Sequence, residues 1–511
     1  MKRGQEMNEG KEKRFVTIEQ IEIVMVFVFF VFMMLYNLQH SALWGDEWVE
    51  YHYSQKNIFN GDMYRAIIST FQPPLYNFIM YFWLSICDSI FWFRSFNIII
   101  GLISGIFLYQ TLKHMTNHYF AVITLLILGM TYQWIYCIQE CSEYSLMLMF
   151  IFGAIHFFIK VENKYNLKAQ ILFILFCISA MYSQYGAFFI VMPLITIHYI
   201  GILKDKNKFI IQRTTINYIG AFVIFALPLF FLFAKIQMGH NEIGINGDIG
   251  LLMNSLKDIP LVFGNLLGYF FNINIKQSGT MQIIVQLLGI LILFVGSVVV
   301  LSKKEKYVAK KMIIVMYVAY ILYYILIVFQ VYGMVHPNQS SGFYSRYGYF
   351  FIPLFSIVFP TIFYEAMHLF GGKCYKFWLG IVMLFFLLLS VNSFPAIIEN
   401  WHKSYDDKFA QIWINNAGFN DTTYLIGAAH YGFDYYITGS GCEIQGEIIN
   451  AKYEPINQSS LPKKFWLWRT NWSGDAWQDT IEAAEKQGYI VTIYANHGYS
   501  GQLAMCRKNF Y

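Results

Sequence analysis

The stretch IVMVFVFFVFMMLYNLQHSALWGDEWVEYHYSQ, residues 23–55, joins an apolar run to a segment that holds Asp46, Glu47 and Glu50 within five residues. Residues 23–38 contain no Asp, Glu, Lys or Arg and read as a helix entering the ~30 Å hydrocarbon layer of a bilayer. The carboxylates follow at the point where such a helix leaves the lipid. Whether the rest of the chain supports a membrane therefore decides both the fold and the meaning of this charge.

The composition supports it. The chain has 511 residues, 57% hydrophobic and 13% charged, with a mean hydropathy of +0.44, far from the charged quarter and apolar half of a soluble domain. Backbone polar groups in lipid must be satisfied within each helix. On that basis spans are expected at 23–38, 96–112, 119–137, 144–159, 170–183, 186–203, 217–234, 281–301, 312–332, 347–364 and 377–395, about 11 in all. Lys11, Lys13 and Arg14 precede the first, as in a secretory signal, but HSALWGDE offers no small-residue cleavage site, so a retained anchor is expected.

Basic residues in short loops set the orientation. They cluster before the first span and then in alternate gaps, at Lys113, Lys160 to Lys168, Lys204 to Arg213, Lys303 to Lys311, and Lys373 with Lys376. The expected topology is a cytoplasmic N-terminus at 1–22 and a transmembrane domain at 23–395. Its loops 39–95, 235–280 and 333–346 are placed outside, together with a C-terminal domain at 396–511. The net charge of +5 then reflects topology and gives no reason to expect a nucleic-acid partner. Spans free of Asp, Glu, Lys and Arg also argue against an ion carrier.

The tail changes character. TTYLIGAA, KKFWLWR and GYIVTIYA read as strands and WQDTIEAAEKQG as a helix, giving a small extracytoplasmic α/β domain expected to cover or flank the active site. Trp466, Trp468, Trp472 and Trp477 read as its core and rim rather than a sugar platform. Cys442 and Cys506 are open to pairing there, whereas Cys87, Cys137, Cys141, Cys177 and Cys374 lie in or beside apolar segments. No Cys/His spacing of a metal site occurs.

The outer loops hold the candidate chemistry. In FQPPLYNFIMYFW, Pro73 and Pro74 break the chain before an apolar piece too short to cross, which reads as interfacial. At other helix ends lie Gln139, Glu140 and Glu143 in IQECSEYSL, Tyr182 to Tyr185 in MYSQYG, His336 in YGMVHPNQ, and Arg346 with Tyr347 in FYSRYGYF. Each has an ordinary reading as well: acids cap helices, arginine anchors at an interface, and His336 before Pro337 suits a turn. If 45–53 is helical, however, Asp46 and Glu50 share a face with Glu47 beside them, and mutual repulsion raises at least one pKa. A general base at a membrane surface needs that property.

Taken in order, GDEWVEYHYSQ, FQPPLYNFIMYFW, FRSFNIIIGLISGIFLYQTLK, IQECSEYSLMLMF, YSQYGAFF and SRYGYFFIPLF resemble the glycosyltransferase C superfamily over residues 20–400. The branch they resemble holds protein mannosyltransferases and the aminoarabinose transferase of lipid A. The resemblance implies an α-helical polytopic membrane enzyme that moves a hexosyl or pentosyl unit from a polyprenyl-phosphate sugar to an envelope lipid, glycan or protein. Asp46 corresponds to the family's first-loop catalytic acid and Glu47 to its partner, while Arg346 and Tyr347 match an Arg-Tyr near the carrier phosphate. Pro73, Pro74, Leu75 and Tyr76 match a loop motif, with Gln72 where many relatives have His. Gln139, Glu140 and Tyr144 match a Gln-Glu-x-Arg-x-Tyr pattern in which Ser142 replaces the arginine.

The implied reaction is a single inverting displacement with Asp46 as base and Arg346 on the leaving phosphate. Glu50, Glu140, Gln72, Tyr76 and His336 are acceptor or metal candidates. A divalent cation, Mg or Mn, on Asp46, Glu47 and Glu140 stays open, because nothing in their spacing demands it. Rival readings are an oligosaccharide ligase or polymerase using lipid-diphosphate donors, and a lipid or sugar transporter.

Overall fold

Alternating apolar runs and basic loops translate into a bundle of long helices. The computed structural model describes residues 18–36, 38, 42–240, 279–303, 307–328, 348–369, 404–416, 421–452, 454, 456, 461–470, 476–497 and 501–509. Helices α1 (Ile18–Leu35), α2 (Gly45–Ser54), α3 (Asp62–Ile68), α4 (Leu75–Leu84) and α5 (Ile90–Met115) come first. α6 (His118–Gly129), α7 (Tyr132–Gln139), α8 (Glu143–Asn163), α9 (Leu167–Ser183) and α10 (Phe188–Asp205) follow. α11 (Lys208–Ala221) continues through π-turns at Phe222–Ala226 and Phe230–Ala234, ahead of α12 (Gly279–Ser302), α13 (Tyr307–Val328) and α14 (Phe351–Leu369).

Among the described residues 7 helices are long and apolar enough to cross a membrane, or 8 if one bent pair is a single span. That pair is a correction to the expected span 119–137: α6 and α7 meet at 66°. At the break Thr131 Oγ1 turns back to the carbonyl of Ile127 at 2.8 Å, and Gly129 lies so close to Phe30 that a Cβ would meet the ring at 2.9 Å. The expected span 217–234 lies inside a longer apolar stretch, Lys208–Gly239. The expected span 377–395 lies outside the described residues.

Side chains at the loops start the helices. Ser89, Asn117, Asn166 and Asn207 cap α5, α6, α9 and α11 by accepting first-turn backbone N–H groups, which satisfies donors that the helix leaves open. α8 is buried on nearly every side, between α5, α9 and α10, as expected of a helix apolar all round. Gly153 permits its close approach to Phe176 of α9. The short α4 is stapled to the start of α5: Trp83 and Trp92 stack at 4.3 Å and each indole donates to the other's carbonyl at 2.8 Å.

The C-terminal residues form a five-stranded sheet in the order β2-β1-β3-β5-β4. β1 (Thr422–Ile426) runs parallel to β2 (Ile448–Lys452) and β3 (Lys464–Arg469), and β5 (Gln502–Lys508) runs antiparallel to β3 and to β4 (Tyr489–Asn496). The strands expected at TTYLIGAA, KKFWLWR and GYIVTIYA are β1, β3 and β4, and WQDTIEAAEKQG carries a helix at Ala476–Lys486. Trp466, Trp468 and Trp477 are buried in this domain; Trp472 lies outside the described residues. Cys442 and Cys506 are free thiols and not a disulfide, Cys506 being buried within β5.

Candidate active site

The acidic stretch that follows the first apolar run is helical, which meets the condition for Asp46 and Glu50 to share a face: Asp46, Glu47 and Glu50 all lie in α2. Acids suit a helix N-terminus because they meet its unsatisfied N–H groups and dipole. Glu47 Oε2 accepts the Trp44 N–H at 3.2 Å, the returning half of a capping box. Its carboxylate goes further. Oε1 accepts the Cys141 N–H at 2.9 Å, and Oε2 accepts Arg94 at 3.3 Å. Arg94 also donates to the carbonyls of Leu38 at 2.8 Å and Ala42 at 3.3 Å.

Glu47 is 0% and Arg94 3% exposed. One buried ion pair therefore ties α2 to the start of α5, to the segment between α1 and α2, and to the turn between α7 and α8. Removing one partner of such a pair costs ~3–5 kcal/mol, because the other charge is left buried alone. Glu47 thus holds the site together, while Asp46, next to it, is only partly buried.

Glu50 lies one turn on from Asp46 and is 1% exposed. Asn77 of α4 donates to its Oε2 at 2.5 Å and also reaches Ser54 Oγ at 3.3 Å. Burial first, and then the neighbouring Glu143 and Asp46 carboxylates, push the Glu50 carboxyl well above its ordinary value; Asn77 and Gln72 pull the other way. A carboxyl arranged in this way favours its protonated form. Asn77 follows Pro73-Pro74-Leu75-Tyr76, and Pro74 occupies the N-cap of α4, so the motif aims the first turn of α4 at α2. Tyr76 is fully buried at the same place.

Gln72 anchors the loop from its other side. Its carbonyl accepts Gln237 Nε2 at 2.8 Å, Gln237 donates also to Ile67 O at 2.9 Å, and Gln237 Oε1 accepts Tyr185 Oη at 2.7 Å. The Tyr-Ser-Gln-Tyr stretch is thereby joined to the Pro-Pro loop. In the turn after α7, Glu140, Ser142 and Glu143 are all buried, and Asn97 of α5 donates to the Glu140 carbonyl at 2.5 Å. Tyr144 stacks edge-to-face on Tyr349 at 5.5 Å.

The structure thus gathers Asp46, Glu47, Glu50, Gln72, Tyr76, Glu140 and Tyr144 at one end of the bundle, with Glu143 among them. His336, Arg346 and Tyr347 lie outside the described residues. Among the described residues no three His, Cys, Asp or Glu side chains are arranged to share a metal ion, and Glu47 is already engaged by Arg94 and the Cys141 N–H.

Sequence reasoning missed Arg94, Asn77 and Asn97. For Arg94 a signal existed, as it is a basic residue flanking a span at the end of a loop expected on the side where lysine and arginine are scarce. His52, at the end of α2, was missed as well. Its ring lies 4.7 Å from Tyr431 of the C-terminal sheet domain, and its pKa is pushed down to about 4, first by burial and then by nearby His430 and Lys56. The imidazole is therefore neutral.

The family model described as dolichyl-phosphate-mannose-protein mannosyltransferase matches residues 71–232. The match contains the Pro-Pro loop, Arg94 and the 140–143 turn, and begins after α2. Among solved structures, ArnT from Cupriavidus metallidurans bound to undecaprenyl phosphate is similar at 10% identity and a TM-score of 0.43, over 95% of this chain and 97% of that one. Its apo form gives 10% and 0.46 over the same shares. The Archaeoglobus fulgidus oligosaccharyltransferase in complex with zinc and sulfate gives 11% and 0.47 over 94% of this chain and 72% of that one. Likeness this distant assigns no residue a role. No curated protein sequence matches the chain. The resemblance read from the sequence is thus met by a family-model match over residues 71–232, in a chain whose described residues hold 7 or 8 helices long and apolar enough to cross a membrane.

Proposed function

We propose that the chain transfers one sugar from a polyprenyl-phosphate donor to a hydroxyl of an envelope lipid, glycan or protein at the outer face of the membrane, with inversion. The observation that carries this reading is the packing of the α2 carboxylates against the buried 140–143 turn and the Pro-Pro loop, at one end of an apolar bundle. The matched family is itself described by a lipid-phosphate sugar.

Asp46 is the base. It is the least buried acid of α2, and a carboxylate that takes the hydroxyl proton as oxygen attacks the anomeric carbon contributes ~10² to 10⁴-fold. The new carbon–oxygen bond forms as the bond to phosphate oxygen breaks, and the electron pair leaves on the polyprenyl phosphate. Arg346, with Tyr347, receives that charge, since a guanidinium offers a planar fork to phosphate oxygens.

The test uses membranes with matched protein levels, labelled sugar on a polyprenyl monophosphate, and a labelled oligosaccharide on a diphosphate. Transfer from the monophosphate alone is expected, weakened in Arg346→Lys and weaker still in Arg346→Ala. Transfer from the diphosphate alone would replace this reading with that of a ligase.

A further inference from the structure

Asp406 sits where three elements meet. It opens the helix Asp406–Asn416, is fully buried, and accepts two indole N–H groups on separate oxygens: Trp468 of β3 on Oδ1 at 3.1 Å and Trp48 of α2 on Oδ2 at 3.4 Å. The third wall is Gly432 in the short helix Ala429–Phe433, where a Cβ would stand 2.5 Å from Oδ2. A second layer of rings surrounds this point. Trp48 lies 5.3 Å from Tyr435 and 6.2 Å from Tyr436, and Tyr51 lies 5.9 Å from Tyr435.

The chemistry of the group fits the place. Indole nitrogens only donate, and a carboxylate accepts on both oxygens, whereas an amide would turn a donor toward one of them. An acid that merely capped its own helix would have no need of Trp48, 358 positions earlier in the chain. Trp48 lies between Asp46 and Glu50 on α2, so a bond to its ring fixes the rotation of the helix that carries both.

We infer that Asp406 is a positioning residue for the transfer reaction: through Trp48 it clasps α2 to the outer sheet domain and sets where Asp46 and Glu50 point. The inference rests on the function proposed above, and the test separates the two.

The full-length protein in membranes is used. Asp406→Asn is expected to lower turnover by about 10- to 100-fold with the donor KM changed by less than about twofold, the pattern of a displaced catalytic group rather than of lost binding. Trp48→Phe keeps the ring and loses the N–H; it should match Asp406→Asn, and the double variant should be no slower than the slower single one. This second variant decides the matter if Asp406→Asn does not fold. A readout free of activity places cysteines at His52 and Tyr431, with the exposed Cys87 changed to serine. A short bis-maleimide should bridge them several-fold more slowly once Asp406→Asn is added. Turnover within about twofold of the parent in both variants, multiplying losses in the double variant, or an unchanged bridging rate overturns the inference. A parent that transfers no sugar from any polyprenyl phosphate counts against the proposed function, and the bridging rate then still decides the clasp.

Discussion

The two ends of α8 use acid in opposite ways. At the end near Asn163, carboxylates meet bases: Glu162 pairs with Lys311 and with His198 at 2.8 Å, and Glu365 pairs with Lys303 at 2.8 Å. At the end near Glu143, Glu47 has Arg94, but Glu50 receives a neutral amide and is pressed by neighbouring acids. The first end spends its charge on packing. The second keeps carboxyls close together in low dielectric, where protonation is easily exchanged, and such an arrangement serves chemistry better than stability.

The sharpest way to break this contrast is to turn the one structural pair of the acidic end against it. Arg94→Ala strands Glu47 and frees the Leu38 and Ala42 carbonyls, so we expect a loss of ~3–5 kcal/mol, together with transfer activity. Thermal unfolding in detergent measures it; an unchanged melting temperature would show that Arg94 does not hold α2 in place.

Glu50→Gln should do far less, because glutamine resembles the protonated acid. Transfer near neutral pH is expected within about tenfold of the parent. The pH profile carries the information. With the folded pKa raised, Glu50 ionises as pH rises, placing new negative charge beside Asp46 and an anionic donor, so the parent loses rate on its alkaline limb and Glu50→Gln should not. Identical limbs would remove Glu50 from the site.

Much of this could be read in advance, and the remainder has a common cause. The face that Asp46 and Glu50 share once 45–53 is helical, and the strands β1, β3 and β4, depend on local periodicity, which the sequence displays directly. β2, IINAK, and β5, QLAMCRK, carry weak alternation and form through their neighbours. The bend at Gly129–Thr131 interrupts no apolar pattern. Arg94, Asn77 and Asp406 acquire their meaning from partners 47, 27 and 358 positions away. Such pairings are fixed by packing, and no short motif announces them.

The smallest effect concerns the C-terminal sheet domain. Burial raises the Asp406 carboxyl to about 7, with Asp407 beside it adding to the shift and the Trp468, Ser404 and Trp48 hydrogen bonds opposing it. The folded domain therefore keeps a proton that the unfolded chain releases near pH ~4. Through this group stability falls as pH rises from ~4 to ~7. Asp406→Asn does not titrate in that window, so the difference in melting temperature between parent and variant should shift toward the variant as pH rises from ~4 to ~7, whatever its size at low pH; a constant difference would contradict the burial argument.

The most direct test sets the two ends of α8 side by side in one assay. Asp46→Asn and Glu162→Gln each neutralise one carboxylate with little change of size, and transfer from a labelled polyprenyl-phosphate sugar is measured per folded molecule. The account predicts that Asp46→Asn folds like the parent and loses ~10² to 10⁴-fold in turnover, while Glu162→Gln melts earlier and turns over within about twofold of the parent. Full activity in Asp46→Asn, or an inactive but equally stable Glu162→Gln, would contradict it.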